Sequence, residues 1–116
     1  MAFRFEDLQV WQKAIDLGEQ INQLTKSFPK DEIYILTSQI KRAADSVVLN
    51  IAEGSTGQSK AVFKVFLSYS LRSAIEVVSC LFIAKRRCYI HDSQFNSLYN
   101  DYETLVKMIT ALKNSF

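Results

Sequence analysis

From Ile40 to Ser55 the chain reads IKRAADSVVLNIAEGS, and this stretch leaves few folds open. At 100° per residue, Leu36, Ile40, Ala43, Ala44, Val47 and Ile51 fall on one side of a helix. Gln39, Arg42, Ser46, Asn50 and Glu53 fall on an adjacent stripe at steps of three, four, four and three, with Lys41 and Asp45 further round. Such a helix has an apolar face that must be buried and a separate, mostly uncharged polar seam. Gly54 is expected to stop it as a C′ glycine, by taking a left-handed backbone.

The same periodicity predicts three more helices. The first spans about Leu8 to Ser27, with Asp7 as N-cap and Val10, Trp11, Ala14, Leu17, Gly18, Ile21, Leu24 and Thr25 inside. Pro29 forbids its continuation. The second starts at about Ile33, or at Thr37 if that residue is the N-cap and Asp31 to Leu36 form a separate turn. After the loop GSTGQ, Ser59 caps a third helix reaching about Arg87, with Phe63, Phe66, Leu67, Ser70, Leu71, Ala74, Val77, Val78 and Leu81 as its stripe. Asp92 caps a fourth, whose Phe95, Leu98, Tyr99, Tyr102, Leu105, Val106, Ile109 and Leu112 follow the i, i+3, i+4, i+7 pattern. Short joints make consecutive helices neighbours. The expected fold is therefore all-α: one up-down-up-down antiparallel four-helix bundle over residues 1–116. Apolar residues exceed what one bundle needs. Val62, Tyr69, Cys80 and Ala84 on the third helix, Leu49 on the second, and Leu8 and Ile15 on the first stand off the inner stripes and suggest a subunit interface.

Composition narrows the class. With 3 glycines and 1 proline, a strand-and-turn architecture is disfavoured. A net charge of +2 is too mild to mark a nucleic-acid binder. Acids near the start argue against a signal peptide, and the run Val77 to Ala84 is far shorter than a membrane span, so a soluble cytoplasmic protein is expected. Cys80 and Cys88, eight apart on one predicted helix, are read as buried reduced thiols.

The phrases FRFEDLQVWQKA, FPKDEIYILTSQIKRAADS and NIAEG resemble the four-helix bundle proteins encoded in intervening sequences of bacterial 23S rRNA genes, often labelled S23 ribosomal proteins. The family's usual middle reads close to SIPANIAEG. Here Val48 replaces the proline and Leu49 a small residue. The resemblance implies a homo-oligomer, most simply a pentameric ring. The fold is shared with the accessory protein of diversity-generating retroelements, which binds nucleic acid and a reverse transcriptase.

Two readings of the seam Gln39, Arg42, Ser46, Asn50, Glu53 are open: a polar network fixing helix register or a subunit contact, and a binding surface. Lys41, Arg42, Lys60, Lys64 and Arg72 are the candidates for contacting the phosphates of RNA or DNA, while Lys85, Arg86 and Arg87 have a sufficient role at a helix C-terminus. No aromatic interleaves with these bases in the sequence as a stacking platform requires. Trp11 is a packing residue by its spacing. The lone His91 has no ligand partners for a metal and no nucleophile to serve, and GSTG lacks the spacing and lysine of a phosphate loop. No catalytic residue, metal or cofactor is expected. Two functions remain, a nucleic-acid accessory protein and a ring-shaped scaffold holding a partner enzyme. Basic residues gathered on one face favour the first, and an apolar face favours the second.

Overall fold

The computed structural model describes residues 2–116. It contains four α-helices, α1 (Gln9–Leu24), α2 (Ser38–Gly54), α3 (Lys60–Arg86) and α4 (Asp92–Asn114), and no strand among the described residues. Neighbours run cyclically: α1 packs on α2, α2 on α3, α3 on α4, and α4 back on α1. The four helices therefore surround one core. The molecule measures 43 × 23 × 23 Å, and a helix as long as α3 alone rises about 40 Å. The joints at 55–59 and 87–91 reach at most about 18 Å. They cannot return along a helix of that length, so α2, α3 and α4 alternate in direction.

The predicted stripes are the buried ones. Leu17, Ile21, Ile40, Val47, Ile51, Leu67, Val77, Leu81, Tyr102, Leu105 and Ile109 are all fully enclosed. Each aliphatic member contributes about 1.5–3 kcal/mol by leaving water. Trp11 is half-buried and packs on Phe5, ring centroids 4.7 Å apart.

The helix ends differ from expectation in several places. A 3₁₀ turn, Arg4–Asp7, precedes α1, so Leu8 and not Asp7 holds the N-cap position. The last predicted turn of the first helix is a 3₁₀ turn, Thr25–Ser27. The second helix begins as a 3₁₀ turn (Lys30–Glu32) and a π-turn (Ile33–Thr37) before α2 proper. Thr37 holds the N-cap position of α2 after a separate turn, as the alternative start expects, but its backbone is helical and its side chain makes no cap bond. Ser59 does cap α3, its Oγ accepting from the Val62 N–H at 3.1 Å. His91, not Asp92, is the N-cap of α4, and the Gln94 side chain accepts its backbone N–H at 2.8 Å.

Gly54 is the largest correction. It lies inside α2 and is not left-handed. A Cβ there would sit 2.7 Å from Phe66 Cβ and 2.9 Å from Phe63 Cδ1. The position excludes a side chain because α3 crosses it, not because the chain turns. The left-handed residue that does end a helix is Cys88, with φ 63°. Its N–H bonds to Lys85 O at 3.0 Å and that of Tyr89 to Ala84 O at 2.9 Å, the paired bonds of a Schellman turn. Cys88 is thus outside α3 and exposed, while Cys80 is buried. Burial, reinforced by Glu76, raises the Cys80 thiol above its usual range.

Candidate functional site

The seam of α2 lies along its junction with α3. Ser46 Oγ meets Ser73 Oγ at 2.9 Å, and Gln39 Nε2 donates to Glu76 Oε2. Asn50 Nδ2 donates to Ser46 O at 2.9 Å and to Ser46 Oγ at 3.0 Å. Beneath them Ser70, fully buried, donates to Val47 O at 3.0 Å. Gln39, Arg42, Ala43, Ser46, Ser73 and Glu76 line a shallow depression of about 310 Å³. Gln39 and Ser46 are therefore gathered with partners from α3, and Asn50 joins them through Ser46 on its own helix. Arg42 stays on the rim, and Glu53, exposed, lies outside the depression. Ser73 and Glu76 were not among the sequence candidates. Because Asn50 is only half-buried, Asn50→Ala is expected to cost about 1 kcal/mol, a melting shift of roughly 4–8 °C. A shift below about 2 °C in thermal unfolding would mean that the Asn50 bonds to Ser46 contribute nothing to stability.

The five candidate basic residues do not form one patch. Adjacent helical residues diverge by about 100°, so Lys41 faces α1 while Arg42 faces α3. Lys41 lines a groove of about 340 Å³ with Ile15, Gly18, Glu19, Asn22 and Asp45. Lys60 shares the rim of a hollow of about 230 Å³ at the start of α3 with Arg4, whose guanidinium stands 5.3 Å from the Phe63 ring centroid. Lys64 is half-buried one turn further on, and Arg72 is exposed at mid-helix.

At the opposite end, the residue left to helix capping has a specific partner. Arg87 Nη1 lies 2.9 Å from Glu32 Oε2, and the Tyr89 hydroxyl donates to the same oxygen at 2.7 Å. The joint before α2 is thereby clamped to the joint before α4. The Tyr89 bond, helped by the Arg87 charge and opposed by burial, holds the Glu32 carboxyl below its usual range. A carboxyl depressed in the folded state stabilises above its unfolded pKa and loses that contribution as pH falls through the folded one. Melting temperature should therefore drop on acidification below about pH 4.5. Glu32→Gln should flatten the drop, leaving the slope due to Glu19, which Gln23 and Asn22 lower in the same way. An unchanged slope in Glu32→Gln would show that the clamp carries no linkage.

A family model described as 23S rRNA-intervening sequence protein matches residues 6–111. The chain belongs to this family. A solved structure, a protein of unknown function from the S23 ribosomal protein family of Bacteroides thetaiotaomicron VPI-5482, superposes with a TM-score of 0.83 at 27% identity, covering 90% of this chain and 95% of that one. No curated protein matches.

In this member of the intervening-sequence family α2 runs as one α-helix through Val48, the position of the family's proline. Leu49, in place of a small residue, is 59% exposed. The Ser46–Ser73 and Ser70–Val47 bonds fix the register, which puts Leu49 level with residues 66–70 of α3, where Tyr69 is also exposed, with exposed Val65 one turn before it. Further along α3, Ile75, Phe82 and Ile83 are exposed too. Two residues expected outside, Cys80 and Ala84, are instead buried, because α3 is flanked by both α2 and α4 and its buried arc is wide. By length and composition α3 is apolar enough to cross a membrane, contrary to the expectation from its longest uncharged run. Only 33% of its most apolar 18-residue stretch is buried in the bundle.

Proposed function

We propose that this chain is a non-enzymatic, cytoplasmic assembly protein whose copies associate through the outer face of α2 and α3. The observation that carries this reading is α3 itself: a helix apolar enough to be a membrane span, of whose most apolar stretch only 33% is buried in the bundle. Isolated exposed apolar side chains are ordinary. Leu49 on one helix and Val65 and Tyr69 on the adjacent one, all exposed, support an interface there. The polar seam running through that face supplies register, and the family resemblance favours five copies. Light scattering on the purified protein should give a multiple of 13.3 kDa, ideally about five. Leu49→Glu with Tyr69→Glu should reduce it to 13.3 kDa with helical circular dichroism retained. A wild-type mass of 13.3 kDa across micromolar concentrations would overturn the reading.

A second reading, electrostatic binding of structured RNA or DNA by the assembly, is supported by Arg4 and Lys60 at one rim with Lys64 a turn away. One protomer offers few contacts, and an oligomer repeats them, so multivalency would set the affinity. Such binding would be weakly sequence-selective and steeply salt-dependent. The apolar face favours the alternative role as a scaffold for a partner protein if the wild type leaves that face open by remaining monomeric.

A further inference from the structure

We infer that Phe82, Tyr99, Lys85 and Arg86 form a stacking site for the unpaired bases of single-stranded nucleic acid, an inference that rests on the nucleic-acid reading above. Phe82 projects from α3 and is 52% exposed. It is not loose. Its ring meets the Phe95 ring of α4 at 4.9 Å and 67°, and the Tyr99 ring at 6.1 Å and 87°. Phe95 and Tyr99 are themselves stacked at 5.7 Å and 29°. Two edge-on contacts hold the Phe82 ring in place while half of its surface stays in solvent. Lys85 Nζ stands 4.4 Å over the Phe95 centroid, so a cation is fixed beside the rings, and Arg86 follows it, exposed, on the same helix end.

The chemistry of this cluster selects its occupant. A rigid, half-open aromatic ring offers a flat π-face to another flat π-face at little entropic cost. Ammonium and guanidinium groups beside it call for an anion. A nucleotide unit carries both a flat base and an anionic phosphate, and bases in a duplex have no free face to offer. Arg87, next in the chain, is already engaged by Glu32, which leaves Lys85 and Arg86 as the phosphate partners. The sequence hides this site because Phe82 and Tyr99 come from different helices, and their neighbouring cations sit where a helix C-terminus already explains them.

The test is fluorescence anisotropy with a labelled single-stranded oligonucleotide of about 12 bases and the corresponding duplex, both at low salt. The wild type should prefer the single strand. Phe82→Leu, which keeps apolar volume and removes the π-face, should weaken single-strand binding roughly tenfold and leave duplex binding unchanged. Arg86→Gln should reduce both and lower the salt dependence. If Phe82→Leu leaves single-strand affinity unchanged while the wild type still binds nucleic acid, the stacking site is overturned and the electrostatic reading survives. If neither probe binds, both fall. If Phe82→Leu changes the mass seen by light scattering, the cluster is a subunit contact and the inference is overturned.

Discussion

Gly54→Ala is expected to cost about 1–3 kcal/mol of stability, although alanine is the better helix former. The new methyl would lie 2.7 Å from Phe66 Cβ and 2.9 Å from Phe63 Cδ1. A Cβ cannot rotate away from its own backbone, so α2 and α3 must shift apart at this contact. The other two glycines give the contrast. At Gly18 a Cβ would meet only Val48 Cγ2 at 3.9 Å, an ordinary contact, so Gly18→Ala should gain about 0.5–1 kcal/mol of helix propensity. Gly57 has open space around it but φ of +88°, so alanine there should cost about 1 kcal/mol through backbone strain alone. Urea unfolding of the three variants measures all of this. Gly54→Ala at or above wild-type stability would show that the α2–α3 contact relaxes around the added methyl without cost.

Tyr102→Phe should have the opposite sign. Tyr102 is 1% exposed at the centre of the bundle, and its hydroxyl finds no protein partner among the described residues. Burial, with a lesser contribution from the Asp45 charge, raises its pKa well above the ordinary phenol range. An unpartnered buried hydroxyl costs about 1–3 kcal/mol, and phenylalanine fills the same volume without it. The variant should therefore melt several degrees above wild type, roughly 4–8 °C per kcal/mol. Equal or lower stability would mean that the hydroxyl is solvated within the core and worth keeping.

The existence, order and inner faces of the four helices were legible in the sequence. Leu36, Ile40, Ala43, Ala44, Val47 and Ile51 are all buried as their spacing demands, and Ser59 caps where its neighbours say it should. These are local properties. Periodicity, caps and the Pro29 break act within a turn or two, so the information lies in adjacent residues. The polar seam was also visible as a stripe, but its chemistry was not. Ser73 and Glu76 complete it from another helix, and nothing in the spacing of α2 names them.

Tertiary structure alone decided what depends on which helices surround which. Cys80 and Ala84 are core residues because α3 has neighbours on two sides. Gly54 is glycine because Phe66 crosses it, a contact made across the α2–α3 packing and not by the turn. Arg87 is held by Glu32, 55 residues away in the chain, and Phe82 acquires a ring partner in Tyr99. Helical periodicity assigns a residue an angle around its own axis. Only packing determines whether that angle points at a partner helix or at solvent, and the candidate functional groups of this protein are those whose angle the bundle left open.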